Sequence, residues 1–219
     1  MPFVIRRSTL PALRGRQPGF TLVELMIVVV ILGILAAIAI PLYMKFVQQA
    51  KTGEAQLNLG KVASLVEQHF AKSASQQSSA AITTGSTILT GKFPNSLGSA
   101  VGSCAATPAI NTESVPRLAA SVSGASYQPQ PNEWRCTAPA IGCSSDTAWS
   151  QMKFEISSPI RFAYCYESDT PDTGPQAFAV VASGDADGDT TWSRYERRGI
   201  TKDDGSITIG GVGVTNEGE

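Results

Sequence analysis

The residues best suited to chemistry are oxygen-bearing side chains near the C-terminal end of the sequence. They occupy alternate places and then the twelfth place of one short stretch: Asp185, Asp187, Asp189, Thr191, Ser193 and Glu196. Three carboxylates within five residues repel one another, and a hard divalent cation removes that repulsion by accepting hard oxygen ligands. The spacing is that of a calcium-binding loop, so it predicts calcium as a cofactor.

The stretch departs from the calcium template at its sixth place. The template has glycine there, because the backbone turns sharply, whereas this chain has Thr190. The alternative interpretation is a solvated Asp-Gly turn between two strands, in which the aspartates bind nothing. Both interpretations make the stretch a loop.

Residues 20–40 form an apolar run whose polar members are Thr21 and Glu24. As a helix the run would extend about 30 Å, which matches the hydrocarbon core of a membrane. Four arginines and no acidic residue precede it, so residues 1–19 are expected to stay cytoplasmic while the rest is exported. The run predicts a membrane-spanning helix.

The position of the small residues is unusual. Pro18 and Gly19 come before the apolar run, whereas a secretory signal peptide has its small-residue cleavage site after the run. Cleavage here would leave the membrane helix on the mature protein.

Glu24 is a second anomaly, because a carboxylate inside an apolar run costs about 2.5–3.5 kcal/mol. It either stays hydrated near the interface or pairs with a cation that arrives on assembly.

The segment from Gly19 to Pro41, GFTLVELMIVVVILGILAAIAIP, closely resembles the class III signal of type IV pilins and type II secretion pseudopilins. The resemblance implies that a prepilin peptidase cleaves after Gly19 and that the new amine at Phe20 is methylated. It implies that Glu24 neutralises the terminal amine of a neighbouring subunit. It also implies a helix that loosens in the filament at Gly33 and Pro41, for which weak helix propensity and a missing donor are the local causes.

After residue 40 the apolar residues recur at steps of three and four, as on one face of a helix. A single helix is predicted from Phe20 to about Ala71, apolar all round over residues 20–40 and one-sided over residues 41–72. Its one-sided part is expected to pack on a sheet.

Strand signals dominate residues 149–219, which also hold the acidic loop and the C-terminal tail. The predicted strands are Met152–Ile156, Arg161–Tyr166, Gln176–Ala182, Thr191–Arg197 and Ser206–Ile209. Their short connections favour an antiparallel meander. The predicted fold class is therefore α+β, the type IV pilin fold, in which a long N-terminal helix packs on an antiparallel sheet.

Residues 73–148 are rich in Ser, Ala, Gly, Thr and Pro and lack a clear period. Short strands are predicted near Ser86–Leu89 and Ala119–Ser123. In pilins this is the variable region between helix and sheet, and it usually forms exposed surface. Length without periodicity indicates a functional or mobile surface.

Four cysteines lie in the C-terminal half: Cys104, Cys136, Cys143 and Cys165. An even number in an exported chain favours two disulfides, and the absence of a Cys-x-x-Cys motif argues against redox chemistry. A bridge between Cys136 and Cys143 would close a small loop and leave Cys104 for Cys165. The other pairings remain open.

Composition and charge exclude several function classes. The single histidine, His69, argues against a histidine-based catalytic or zinc site, and no nucleophile–base pair or phosphate loop is present, so no enzyme is predicted. Without residues 1–19 the chain has 13 basic and 18 acidic residues. That negative charge argues against nucleic acid as a partner.

The sequence thus predicts a structural subunit, major or minor, of a type IV pilus. Its expected partners are further copies of itself in a helical filament, the prepilin peptidase and an inner-membrane assembly platform. The precursor is expected in the inner membrane with its C-terminus outside, and the assembled form in a surface pilus or a periplasmic pseudopilus. The alternatives are a type II secretion pseudopilin and a minor pilin that acts as an adhesin through residues 73–148.

Overall fold

The computed structural model describes residues 19–80, 91–96, 101–106, 108–109, 113–135, 147–171, 174–202 and 204–216. Two units are compact in their own contacts, Met1–Met44 and Lys45–Glu219. Helix α1, Leu22–Ala80, contributes to both. The predicted strand at Ser86–Leu89 lies outside the described residues.

The helical part of the first unit is apolar on every side. Its large hydrophobic side chains are all exposed, from 48% at Val28 to 74% at Leu22. By length and composition α1 can cross a membrane. This agrees with the membrane-spanning helix predicted from residues 20–40.

In the second unit α1 is one-sided, as predicted. Fully or almost fully buried residues recur at steps of four, three, four and four: Ala55, Leu59, Val62, Val66 and Phe70. This spacing places them on one face of the helix. The helix ends at Ala80 rather than near Ala71.

The sheet consists of five antiparallel strands: β1 Ala163–Asp169, β2 Ala177–Gly184, β3 Ser193–Thr201, β4 Ile207–Ile209 and β5 Gly213–Thr215. Strands β1, β2 and β3 form a meander in chain order. Both β4 and β5 pair with β3, one after the other along its free edge. The first four strands confirm predictions, whereas β5 was not predicted.

One face of the sheet packs on the buried stripe of α1. Its inward residues are mostly aromatic or branched: Tyr164, Tyr166, Phe178, Val180, Ala182 and Tyr195. On the opposite face Cys104 and Ala109 form a second buried cluster with Cys165 and Val181. Strands β1 and β2 are therefore covered on both faces.

The strand predicted at Met152–Ile156 is wrong. A short helix, α3 (Ala148–Met152), ends there, after α2 (Pro131–Arg135). The Thr147 hydroxyl caps α3 by accepting the Ser150 N–H at 3.1 Å, and Lys153 reverses the chain with φ 56°. These local capping interactions determine the structure in spite of the alternating pattern.

The strand predicted at Ala119–Ser123 is also wrong. Residues Ala119–Val122 form a 3-10 turn with Val122 buried. The Ser121 N–H donates to the Leu118 carbonyl at 3.1 Å, so the backbone bonds are satisfied locally rather than by a sheet.

We expect Leu59→Ala to lower the free energy of unfolding of residues 45–219 by about 2–5 kcal/mol, because Leu59 is fully buried between helix and sheet. Leu57→Ala is the matched control, since Leu57 is 68% exposed and should change stability by about 0.5 kcal/mol or less. Urea unfolding followed by circular dichroism measures both. Equal effects would contradict the assigned helix face.

Candidate functional site

The residues around the expected cleavage point precede the helix. Gly19 and Phe20 are both exposed, Phe20 at 83%. A Cβ added to Gly19 would meet no atom of the described residues within 4 Å, so packing against them does not require glycine there. The glycine is free to serve an external requirement such as recognition by a peptidase.

Glu24 has a partner that the sequence analysis missed. The Thr21 hydroxyl accepts the Glu24 N–H at 3.2 Å, while one Glu24 carboxylate oxygen accepts the Thr21 N–H at 2.9 Å and its hydroxyl at 2.7 Å. This reciprocal arrangement is a capping box, and the Thr-x-x-Glu spacing could have revealed it. Within a single chain it gives the backbone N–H groups of Thr21 and Glu24 hydrogen-bond acceptors at the start of the helix.

Gly33 and Pro41 both lie inside α1, which continues through them. A Cβ on Gly33 would meet nothing within 4 Å, and Pro41 has no N–H to donate to the preceding turn. The loosening of the helix at these positions in a filament stays a prediction.

The acidic loop connects β2 to β3. The last pair of that hairpin is Gly184 with Ser193, so the three aspartates lie in the connection itself. One carboxylate oxygen from each of Asp185, Asp187 and Asp189 lies within 4.8 Å of the others. The structure therefore brings together the three carboxylates that the sequence singled out.

Asp185 organises the loop. Its carboxylate is fully buried and accepts hydrogen bonds from the Ser123 hydroxyl at 2.6 Å, the Gly188 N–H at 2.7 Å and the Thr190 N–H at 3.1 Å. Desolvation opposes ionisation, but these hydrogen bonds outweigh it and hold the pKa of Asp185 below its usual value. The group is held as an anion.

The backbone of the loop follows the turn that the calcium template requires. Thr190, at the sixth place, has φ 77°. That left-handed conformation is normal for glycine and strained for a β-branched residue. Gly188, with φ 84°, approaches Gly124 so closely that a Cβ on it would lie 3.3 Å from the Gly124 Cα. The sequence mismatch at Thr190 therefore does not change the turn.

The side chains of the remaining proposed ligands are not part of the three-carboxylate cluster. The Thr191 N–H donates to the Asp189 carboxylate at 2.7 Å, and Ser193 is buried at the start of β3. Glu196 forms ion pairs with Arg194, at 3.0 Å, and with Arg198. Burial raises the pKa of Glu196, but the two arginines outweigh it and lower the pKa. Glu196 thus lies between cations on β3, apart from the aspartate cluster.

Helix α1 supplies a residue to this loop. The Lys51 ammonium donates to the Ala186 carbonyl at 2.8 Å, and the Thr52 hydroxyl lies 3.2 Å from the Tyr195 hydroxyl. The contact of Lys51 with the loop could not be predicted from neighbouring residues, because its partner Ala186 is 135 residues away. The loop is consequently tied to the helix as well as to the sheet.

One disulfide is present among the described residues, Cys104–Cys165, with a Cα–Cα distance of 6.1 Å. It joins the segment that covers the outer face of the sheet to β1. This confirms the Cys104–Cys165 pairing that the sequence analysis named, while Cys136 and Cys143 lie outside the described residues.

We expect Asp185→Asn to lower the free energy of unfolding at pH 7 by about 1–3 kcal/mol, because three donors lose an ionised acceptor. The folded pKa of Asp185 is below its unfolded value, so this stabilisation is present above the unfolded value and is lost as the pH falls through the folded one. Urea unfolding from pH 7 to pH 3 should show the difference from the original chain shrinking. The exposed Asp187→Asn is the control, and an equal loss from it would contradict the special role of Asp185.

Comparison with known proteins identifies the N-terminal segment. Residues 14–40 match the prokaryotic N-terminal methylation motif. The chain is 64% identical over 44 residues to the type IV major pilin protein PilA of Myxococcus xanthus, which is 20% of each chain. It is 41% identical over 86 residues to the fimbrial protein EcpC of Eikenella corrodens, which is 39% of this chain and 56% of EcpC.

A pseudopilin also matches. The type II secretion system core protein G of Pseudomonas aeruginosa is 43% identical over 68 residues, 29% of this chain and 48% of that protein. The chain thus spans between a fifth and about half of the length of these relatives. No solved structure matches. The chain thus carries the prokaryotic N-terminal methylation motif, and with its long N-terminal helix and antiparallel sheet it is similar to type IV pilins, fimbrial proteins and a type II secretion pseudopilin over part of its length.

Proposed function

We propose that this chain is a structural subunit of a type IV pilus. The observation that carries the proposal is the N-terminal helix, whose apolar side chains up to Met44 are exposed on every side in the single chain. Such a surface needs lipid around it in a precursor and other protein around it in a filament. The chain is similar over part of its length to a type IV major pilin and to a fimbrial protein.

The proposed sequence of events follows from the residues at the helix start. The precursor is held in the inner membrane by the apolar part of α1, and the prepilin peptidase cleaves after the exposed Gly19. The methylated amine of Phe20 then pairs with Glu24 of a neighbouring copy at the assembly platform. A buried carboxylate and a buried ammonium each disfavour burial alone, so their pairing fixes the axial register of the filament.

We expect Glu24→Ala to leave cleavage intact and to reduce surface filaments strongly. Glu24→Gln is the sharper variant, because glutamine can still form the capping box with Thr21 but carries no charge. If charge pairing drives docking, both variants lose filaments; if helix capping is the main role, Glu24→Gln assembles normally. Immunoblots of sheared filaments and of membrane fractions separate assembly from cleavage.

Two related functions remain as alternatives. The match to the type II secretion protein G favours a pseudopilin, and the long region at residues 73–148 favours a minor pilin with an adhesive surface. Mass spectrometry of sheared surface fibres separates the three, because a major pilin dominates such fibres. A minor pilin is a trace component there, and a pseudopilin is absent while its loss blocks secretion.

We further propose that the loop of Asp185, Asp187 and Asp189 binds calcium. Two observations support it: the three carboxylates converge within 4.8 Å, and Thr190 adopts the strained turn that the template assigns to glycine. Backbone strain at a cluster of ligands is typical of functional loops. Because Glu196 is paired with arginines, water or loop carbonyls would complete the coordination.

We expect a fragment of residues 45–219 to melt at a higher temperature in millimolar calcium than in chelator. At 100 times its dissociation constant, an ion that binds only the folded form adds about 2.7 kcal/mol of stability. Asp187→Ala should abolish the shift, and Asp204→Ala, an exposed aspartate in the turn before β4, should keep it. Equal melting temperatures with and without calcium in the original fragment would make the segment a solvated turn.

A further inference from the structure

A cavity of about 350 Å³ lies beside the far end of α1, against the turn that follows α3. Its charged lining side chains are the lysines Lys72 and Lys153, and His69 also lines it. Among the residues that the structure describes, no aspartate or glutamate lines this cavity. Both lysines are exposed, so their ammonium groups are available to an anionic partner.

The walls of this cavity are held in place by the fold. Lys153 has φ 56° and its N–H donates to the Ser150 carbonyl at 3.1 Å, which fixes the position of its Cα. His69 Nδ1 lies 3.2 Å from the Lys92 carbonyl oxygen, which can only accept a hydrogen bond. The Gln151 amide is bonded twice to the Asn95 backbone, at 2.9 and 3.1 Å. The lysines are thus carried on a rigid surface.

The acidic loop lies at the other end of the same helix segment. Lys51 touches the loop at Ala186, whereas Lys72 lines the basic cavity. At 1.5 Å per residue these two helix positions are about 30 Å apart. The second unit therefore carries the acidic loop near one end of its helix segment and the basic cavity near the other.

We propose that the cavity of Lys72 and Lys153 receives Asp187 and Asp189 of a second copy of this chain. Contacts in a helical filament are heterologous, so one patch of a subunit meets a different patch of the next. Opposite charges on two separate patches of one chain suit such a contact, because the acidic loop of one subunit can meet the basic cavity of the next. This proposal rests on the proposed filament and adds a contact between globular units to it.

Calcium in the loop is compatible with this contact. Three carboxylates and one divalent ion leave one net negative charge, which still attracts two lysines. The contact between copies is then weaker in calcium than in chelator, and it weakens in both cases as salt rises.

The first test exchanges charges in the full chain expressed in cells that assemble it. We expect Lys153→Asp and Asp189→Lys each to lower the yield of sheared filaments by roughly fivefold or more, because each places like charges together. The double variant should restore the yield. Aspartate is chosen at residue 153 because it tolerates the left-handed conformation. Lys202→Asp, at an exposed lysine outside the cavity, is the control and should assemble normally.

The second test is a cross-link between copies. Lys153→Cys combined with Asp189→Cys should give, in oxidised filaments, a ladder of dimers, trimers and longer products on a non-reducing gel. Within one copy these positions lie near opposite ends of the helix segment, too far apart for a disulfide, which needs Cα atoms within about 7 Å. Each single cysteine variant should give no ladder.

Normal filament yield from both single charge variants, with no ladder from the double cysteine variant, would overturn the contact while leaving the filament itself established. If Lys153→Asp assembles normally but loses binding to heparin, the cavity belongs to a polyanion and the proposal is likewise overturned. An absence of filaments from the unmodified chain would contradict the proposed function and this contact with it.

Discussion

The packing of one helix face on one sheet face supports every other feature of the second unit. Leu59 and its apolar neighbours on α1 close over Tyr164, Phe178 and Tyr195, and all of these side chains are almost fully buried. Because the helix covers the sheet, the β2–β3 connection emerges where Lys51 can reach it. The acidic loop and the basic cavity are therefore positioned by elements that the core holds together.

The charge at the helix start is balanced differently in the single chain and in the proposed filament. In the single chain Glu24 accepts two hydrogen bonds from Thr21, which reduces the penalty of a carboxylate on an apolar helix. Those bonds leave acceptor capacity on the carboxylate, so an incoming amine can add to the cap rather than replace it. Helix capping and subunit docking are thus compatible roles of one side chain.

In the acidic loop, hydrogen bonds hold Asp185 in place while three carboxylates lie close enough to repel one another. Asp185 is buried and bonded from three sides, while Asp187 and Asp189 are exposed and converge on it. A fixed scaffold prevents the carboxylates from separating, so their repulsion persists until a cation reduces it. Lys51 supplies one positive charge beside the loop. The proposed calcium ion and the lysines of a second copy are two further proposed sources of positive charge.

The sequence by itself determined the features that depend on neighbouring residues: the apolar run, the one-sided helix, four of the strands and the spacing of the aspartates. Tertiary structure decided the rest. It paired Cys104 with Cys165 across 61 residues, brought the Lys51 ammonium to the Ala186 carbonyl and placed the Ser123 hydroxyl against the Asp185 carboxylate. The errors at Lys153 and Glu196 were local instead, because a helix cap outweighed the alternating pattern and two arginines two residues away outweighed the template spacing. The reason is physical, since periodicity and charge spacing are local properties. Which groups meet across the fold is instead set by how the helix and sheet pack together.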